Sequence, residues 1–144
     1  MPLFHLSIES RLAEIGRASD WLAEIAGSSM LDQSIRMALR LCLEEALANV
    51  VTHAYPQDGV SRPIGLELTV EDEGVSLVVE DEGPAFDPTC ARSAAVNDRL
   101  ELATIGGRGL TLIRSYASGL GYVREAGRNR FTMNFSRDRS APGQ

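Results

Sequence analysis

The sequence predicts an α+β domain, a two-layer α/β sandwich in which a mixed, mainly antiparallel sheet carries three helices on one face. Three observations predict it. Apolar residues recur at helical spacing in three separate stretches. Elsewhere the period changes to two. The period-two stretches come in pairs joined by tight turns, which favours antiparallel pairing with the helices layered against one side. The length of 144 residues suits one domain. It is expected over residues 1–136, with a polar tail at 137–144 that frays.

Each element follows from its pattern. Leu3, His5 and Ser7 alternate with Phe4, Leu6 and Ile8, which predicts a first strand. Ser10 is expected to cap a helix over residues 10–26. Leu12, Ile15, Leu22 and Ile25 lie on its apolar face, Trp21 adds bulk, and Gly27 ends it. A second helix, over residues 31–53, is apolar on most of its circumference and should be buried between the sheet and the other helices. Pro56 and Gly59 stop it. Ile64, Leu66, Leu68 and Val70 share one strand face; Val75, Leu77 and Val79 share another, across a Glu71-Asp72-Glu73-Gly74 turn. Residues 82–104 are mixed, with a helical patch at 94–102. A connection this long inside a compact domain is usually functional or mobile. A glycine-rich turn then leads into a third helix over residues 110–117. Two last strands are expected at 121–125 and 130–135, joined at Gly127-Arg128-Asn129.

Charge narrows the function. The formal net charge is −6, which argues against direct nucleic-acid binding and against an anionic membrane surface as partner. An acidic chain still holds phosphates where backbone N–H groups and a metal ion do the work. Cys42 and Cys90 form no CxxC and read as free thiols in a reducing compartment. No stretch approaches the roughly 18 apolar residues of a membrane helix, and residues 1–10 do not read as a signal peptide. A cytoplasmic protein is the expectation.

Three places carry chemistry. On the second helix, Glu45 and Asn49 are four residues apart and share one side, about 40° from each other, whereas Glu44 points about 100° away from Glu45. Asn49 offers an oxygen to Mg²⁺, a cation that prefers oxygen ligands, and Glu45 can take a proton from a nucleophile. A surface Glu and Asn that only support the helix would look the same, and His53 on the same side is assigned no role. At the end of the second strand of the first hairpin, Asp81 has the parity of Val75, Leu77 and Val79, so its carboxylate faces inward and requires a hydrogen-bond partner. An adenine amino group can provide one, and Gly83 lets a flat base approach the backbone. An ordinary acidic turn is the plain alternative. Finally, Gly106-Gly107-Arg108-Gly109-Leu110 places three glycines before an apolar helix, an anion nest with a cation beside it, or simply a flexible turn. No Gly-Lys-Ser/Thr follows, so it is not a P-loop.

The order and spacing of these three places resemble the GHKL ATPase superfamily and its Bergerat ATP-binding fold. The helix is similar to the N box, Asp81-Glu82-Gly83 to the first glycine box, Gly106 to Gly109 to the second, and the stretch between them to the ATP lid. Within the superfamily, Glu45-Ala46-Leu47-Ala48-Asn49 with His53-Ala54-Tyr55, the Phe86-Asp87 pair, and Gly106 through Ile113 resemble the RsbW/SpoIIAB-like anti-sigma-factor serine-protein kinases. The likeness spans roughly residues 3–135. It implies Glu45 as general base and Asn49 as the Mg²⁺ ligand. It implies a nucleotide set of Asn49, Asp81, Gly83, Ala85, Gly106, Gly107, Arg108, Gly109 and Leu110. Two positions depart from the family pattern. Ala85 stands where Asp-x-Gly-x-Gly has its last glycine. The last hairpin reads Gly127-Arg128-Asn129-Arg130 in place of small hydroxyls, and no site residue is carried over from it.

The resemblance implies an ATP- and Mg²⁺-dependent serine/threonine kinase. Its substrate would be a STAS-type anti-anti-sigma protein, and as a homodimer it would sequester a sigma factor or similar regulator. One alternative is a silent module that binds the partner with or without ATP. Another is a detached histidine-kinase catalytic domain, although neither His5 nor His53 sits in a phosphoacceptor box. A gyrase- or MutL-like clamp needs a further domain for which 144 residues leave no room.

Overall fold

The computed structural model describes residues 2–55, 59–90 and 108–137. Among them the order is β1 (Leu3–Glu9), α1 (Ala13–Ser28), α2 (Gln33–Asn49), a π-helical turn (Val50–Ala54), β2 (Pro63–Val70) and β3 (Gly74–Asp81). A 3₁₀ turn (Pro88–Cys90), α3 (Arg108–Tyr116), β4 (Gly119–Glu125) and β5 (Arg128–Ser136) follow. The strands form one sheet in the order β1-β2-β3-β5-β4, and all four pairings are antiparallel. The α+β two-layer class therefore stands, with no parallel pairing among the described residues. The helical patch expected at 94–102, Gly106, Gly107 and the tail beyond Arg137 lie outside the described residues.

Alternation sorts the sheet into two faces. Ile64, Leu66, Leu68 and Val70 of β2, Val75, Leu77 and Val79 of β3, and Phe131, Met133 and Phe135 of β5 are buried in one core with the helices. The residues between them, with His5 of β1, line the open face. There Arg130 pairs with Glu67 at 2.9 Å and with Glu80 at 3.5 Å. Helix α2 is the centre of the helical layer, packed against α1, α3, β3 and β5. Its buried positions Ile35, Ala38, Leu39, Cys42, Leu43, Ala46 and Leu47 repeat every three and four residues, the spacing of a broad apolar stripe. Leu39, Leu43 and Leu47 are fully enclosed, so truncating any of them to alanine should cost about 2–5 kcal/mol.

Several boundaries differ from expectation for local reasons. Ser10 does not cap α1; its N–H donates to the Arg62 carbonyl instead, and the helix starts at Ala13. Nor does Gly27 end it. The chain turns at Met30, whose φ is 59°. The Met30 N–H bonds the Gly27 carbonyl and the Leu31 N–H bonds the Ala26 carbonyl, a Schellman cap built without glycine. The last hairpin turns at Ala126 and Gly127, with φ of 53° and 77°. Two positive φ values in a two-residue loop define a hairpin turn matched to strand twist. Glu125 consequently pairs with Arg128, and Asn129 belongs to β5.

Both ends of the described chain lie beside the β2–β3 hairpin. The Val70 N–H donates to the Pro2 carbonyl, and the Arg137 N–H to the Glu73 carbonyl.

Candidate nucleotide site

The far end of β3, where Asp81 closes the strand, meets the far end of α2. After Asn49 the helix widens into the π turn Val50–Ala54, while Val50 and Val51 continue the buried stripe. Such insertions concentrate at functional sites. Tyr55, the residue before Pro56, is extended with φ −115° and ψ 149°, as a following proline requires. Its ring is buried. Its hydroxyl donates to the Pro63 carbonyl at 2.9 Å and accepts from the Glu82 N–H at 2.7 Å, and Arg62 stacks over the ring at 5.6 Å. Burial raises the Tyr55 pKa, against the lowering effect of the Glu82 hydrogen bond. Tyr55 thus joins the π turn to the starts of β2 and the β3 exit.

Gly83 completes this junction. A β-carbon there would lie 2.6 Å from the Ala54 carbonyl oxygen and 3.1 Å from both Ala54 Cβ and Asp81 Oδ1. The glycine is thus required by the backbone of the π turn.

The two glutamates of α2 behave differently. Glu44 accepts from Ser19 Oγ at 2.9 Å and pairs with Arg40 at 3.7 Å, which ties α2 to α1. Glu45 and Asn49 are half-buried, and neither side chain has a hydrogen bond or ion pair among the described residues. The charge of Glu45 reaches the enclosed Cys42 thiol, whose pKa is pushed up to about 12 chiefly by burial and secondarily by Glu45.

Asp81 is 8 % exposed and Asn129 5 %, and they are the buried polar side chains among the described residues. They are register partners across β3 and β5. Asp81 Oδ1 accepts from the Gly83 N–H at 2.8 Å and from Asn129 Nδ2 at 3.0 Å. Its other oxygen takes no hydrogen bond among the described residues. Beyond Ala85, Asp87 Oδ1 accepts from the Thr89 N–H at 2.8 Å. Arg114 of α3 donates to the carbonyls of Pro88 and Thr89 at 3.0 and 3.1 Å. Of the glycine-rich stretch, Arg108 and Gly109 open α3 and Leu110 is buried.

With this geometry in view, the comparisons are specific. The histidine kinase-like ATPase domain family matches residues 8–135. The chain belongs to that family. It is 37 % identical over 115 residues to the serine/threonine-protein kinase BtrW of Bordetella bronchiseptica, covering 78 % of this chain and 79 % of that one. Its fold resembles the solved RsbU and RsbW domains of Rv1364c from Mycobacterium tuberculosis, with a TM-score of 0.67 at 18 % identity over 94 % of this chain; the chain spans 32 % of that protein. The histidine kinase AdeS of Acinetobacter baumannii is more distant, with a TM-score of 0.51 at 15 % identity over 96 % of this chain and 70 % of that one. The GHKL-type, RsbW-like fold is thereby established.

For this ATPase-domain chain, the geometry brings together the π turn that follows α2 and the Asp81–Gly83 turn, while α3 packs on α2 and reaches Pro88 and Thr89 through Arg114. The sequence reading left out two residues that build the junction, Tyr55 and Asn129. Tyr55 was legible as part of the His-x-Tyr pattern. Asn129 was detectable by parity, since it falls two residues before Phe131 on the inward face.

Proposed function

We propose that the chain is an ATP-dependent serine/threonine-protein kinase whose substrate is a small STAS-type antagonist protein, and that it holds a sigma factor or similar regulator as a homodimer in the cytoplasm. The domain would occupy residues 1–136. The observation that carries the reading is the uncommitted pair Glu45 and Asn49, in a helix whose neighbouring Glu44 is fully engaged in packing. The kinase relative, 37 % identical, supports it. Among the described residues no helix is long and apolar enough to cross a membrane.

The residues fit Mg-ATP. Among the described residues no cluster of three or more His, Cys, Asp or Glu could hold a metal alone. Mg²⁺ bound with a nucleotide does not need one, because phosphates and water fill most of its six positions. A single amide oxygen from Asn49 suits that role. The other oxygen of Asp81 would accept from an adenine amino group. Gly83 and Ala85 would flank the base. The stretch Gly106, Gly107, Arg108, Gly109 and Leu110, with the free N–H groups that begin any helix, would face the phosphates.

Bound Mg-ATP supplies the electrophilic γ-phosphoryl group. The chain's task is then positioning and proton transfer. Glu45 takes the proton of the attacking Ser or Thr hydroxyl as its oxygen bonds to phosphorus and the ADP oxygen leaves.

The test has two stages. Thermal unfolding with and without Mg-ATP, beside Asn49→Ala, reads binding; ligand at 100 times its Kd adds about 2.7 kcal/mol. A Mg²⁺-dependent shift absent in the variant is expected. Transfer of labelled phosphate to an antagonist, with Glu45→Ala as control, reads catalysis, and the product should survive acid as phosphoserine or phosphothreonine does. An acid-labile product would point to the histidine-kinase alternative. Binding without transfer would leave a partner-holding module.

A further inference from the structure

The last hairpin lacks the small hydroxyls of the family pattern, yet it carries the most connected side chain near the Asp81 turn. Asn129 Nδ2 donates to Asp81 Oδ1 at 3.0 Å, to the Pro84 carbonyl at 2.8 Å and, more weakly, to the Gly83 carbonyl at 3.4 Å. Its Oδ1 accepts from the Tyr122 hydroxyl at 2.6 Å, from Arg124 Nη1 at 3.2 Å and from the Phe86 N–H at 3.3 Å. One end of the amide meets only acceptors and the other only donors. The chemistry of its neighbours therefore fixes which end is which. Arg124 also donates to the Gly83 carbonyl at 2.7 Å.

We infer that Asn129 is a positioning residue for nucleobase recognition. This rests on the nucleotide reading above. Together with the Gly83 N–H, the amide saturates one oxygen of Asp81 and so holds the carboxylate in a single orientation, with the other oxygen left for one donor. The same amide holds the backbone of residues 83–86 in place from its carbonyls and from the Phe86 N–H. A methyl at Ala85 is then tolerated, because the turn is shaped by Asn129 and does not depend on glycine at that position. Asn129 makes no contact with the nucleotide in this scheme and acts through Asp81. Its removal leaves Asp81 held by the Gly83 N–H alone, so that the carboxylate can pivot about that bond and meet a base that lacks the amino group. The consequence is a loss of discrimination between adenine and hypoxanthine, beyond a loss of affinity.

The experiment is calorimetric binding of ADP and of IDP, each with Mg²⁺, to the full chain and to Asn129→Ala, at a temperature where circular dichroism shows both folded. The wild type should prefer ADP. In Asn129→Ala, ADP binding should weaken about tenfold, the loss of one hydrogen bond to a charged group. IDP binding should change about twofold or less, so the preference shrinks. Equal weakening for both nucleotides, or unchanged ADP binding, would overturn the inference, because a merely stabilising amide would not alter the ratio. If Asn129→Ala does not fold, Tyr122→Phe removes one hydroxyl from Asn129 Oδ1 and should shift the ratio in the same direction, about threefold; no shift there would overturn it too. A wild type that takes up neither nucleotide would sink the nucleotide reading and this inference together. Binding by the wild type with an unmoved ratio in the variant sinks this inference alone.

Discussion

Gly83 and Ala54 approach so closely that a β-carbon on Gly83 would stand 2.6 Å from the Ala54 carbonyl oxygen. The obstacle is backbone, so no rotamer change relieves it. Gly83→Ala is expected to cost roughly 1–3 kcal/mol, as overpacking does, measured by urea unfolding. It should also loosen the Asp81 turn and weaken Mg-ADP binding. A variant as stable as the parent would show that the π turn and the β3 exit are free to part.

Tyr55→Phe keeps the buried ring and deletes only the hydroxyl between Pro63 and Glu82. A neutral hydrogen bond contributes about 1 kcal/mol, and a stranded partner costs more. A loss of about 1–2.5 kcal/mol is expected, with faster amide exchange at Glu82. Because the ring stays, the urea m-value should not move.

Glu44 and Glu45 separate packing from chemistry on adjacent residues. Glu44→Ala removes the link to Ser19 and should cost about 0.5–1.5 kcal/mol. Glu45→Ala removes no described partner, so its stability should stay within about 0.5 kcal/mol while phosphoryl transfer is lost. The reverse pattern in paired unfolding and transfer assays would reassign the two roles.

Met30 and Ala126 hold positive φ values of 59° and 53° without being glycine. Met30 is 80 % exposed, so little packing offsets the strain. Met30→Gly and Ala126→Asn should each stabilise by roughly 0.5–1 kcal/mol. The sites lie on different elements, and the double variant should be close to additive in thermal and urea midpoints.

On the open face, the hydrogen bond from Arg130 holds the Glu67 carboxyl below its ordinary value of 4.5, against a raising effect of burial. A depressed carboxyl contributes stability above the unfolded value and loses it as pH falls through the folded one. Stability should therefore decline with a Glu67 component below about pH 4.5. Glu67→Gln should flatten that part of the profile. The pair is partly exposed, so the change should stay under about 1 kcal/mol and shrink in high salt.

Most of the architecture was legible because it rests on periodicity. The stripe from Ile35 to Leu47 and the alternation from Ile64 to Val79 each have one solution that buries their apolar residues. What escaped has no periodic signature. The π turn adds a backbone residue while Val50 and Val51 keep the apolar spacing. The α1 cap uses Met30 where glycine would announce it. In the last hairpin, Ala126 occupies a turn position that usually carries Asn or Gly, which displaced the expected turn onto Asn129 and hid its inward parity. Asp81 was legible as an inward carboxylate, but its partner on β5 depended on that register. Glu45 and Asn49 were legible as a pair, whereas only coordinates distinguish an engaged Glu44 from an unengaged Glu45.

The placement of Pro2 and Arg137 beside the β2–β3 hairpin has a practical side. β3 runs eight residues from Gly74 to Asp81, so the Asp81 turn stands roughly 23 Å from that hairpin. An affinity tag, a fluorescent fusion or a sensor-chip anchor joined directly before Pro2 or directly after Arg137 would start at the pole away from Asp81 and Gly83. Immobilised through either of these two points, the domain would turn the same pole toward the solution, which makes surface-based titration with nucleotide or partner insensitive to the choice between them.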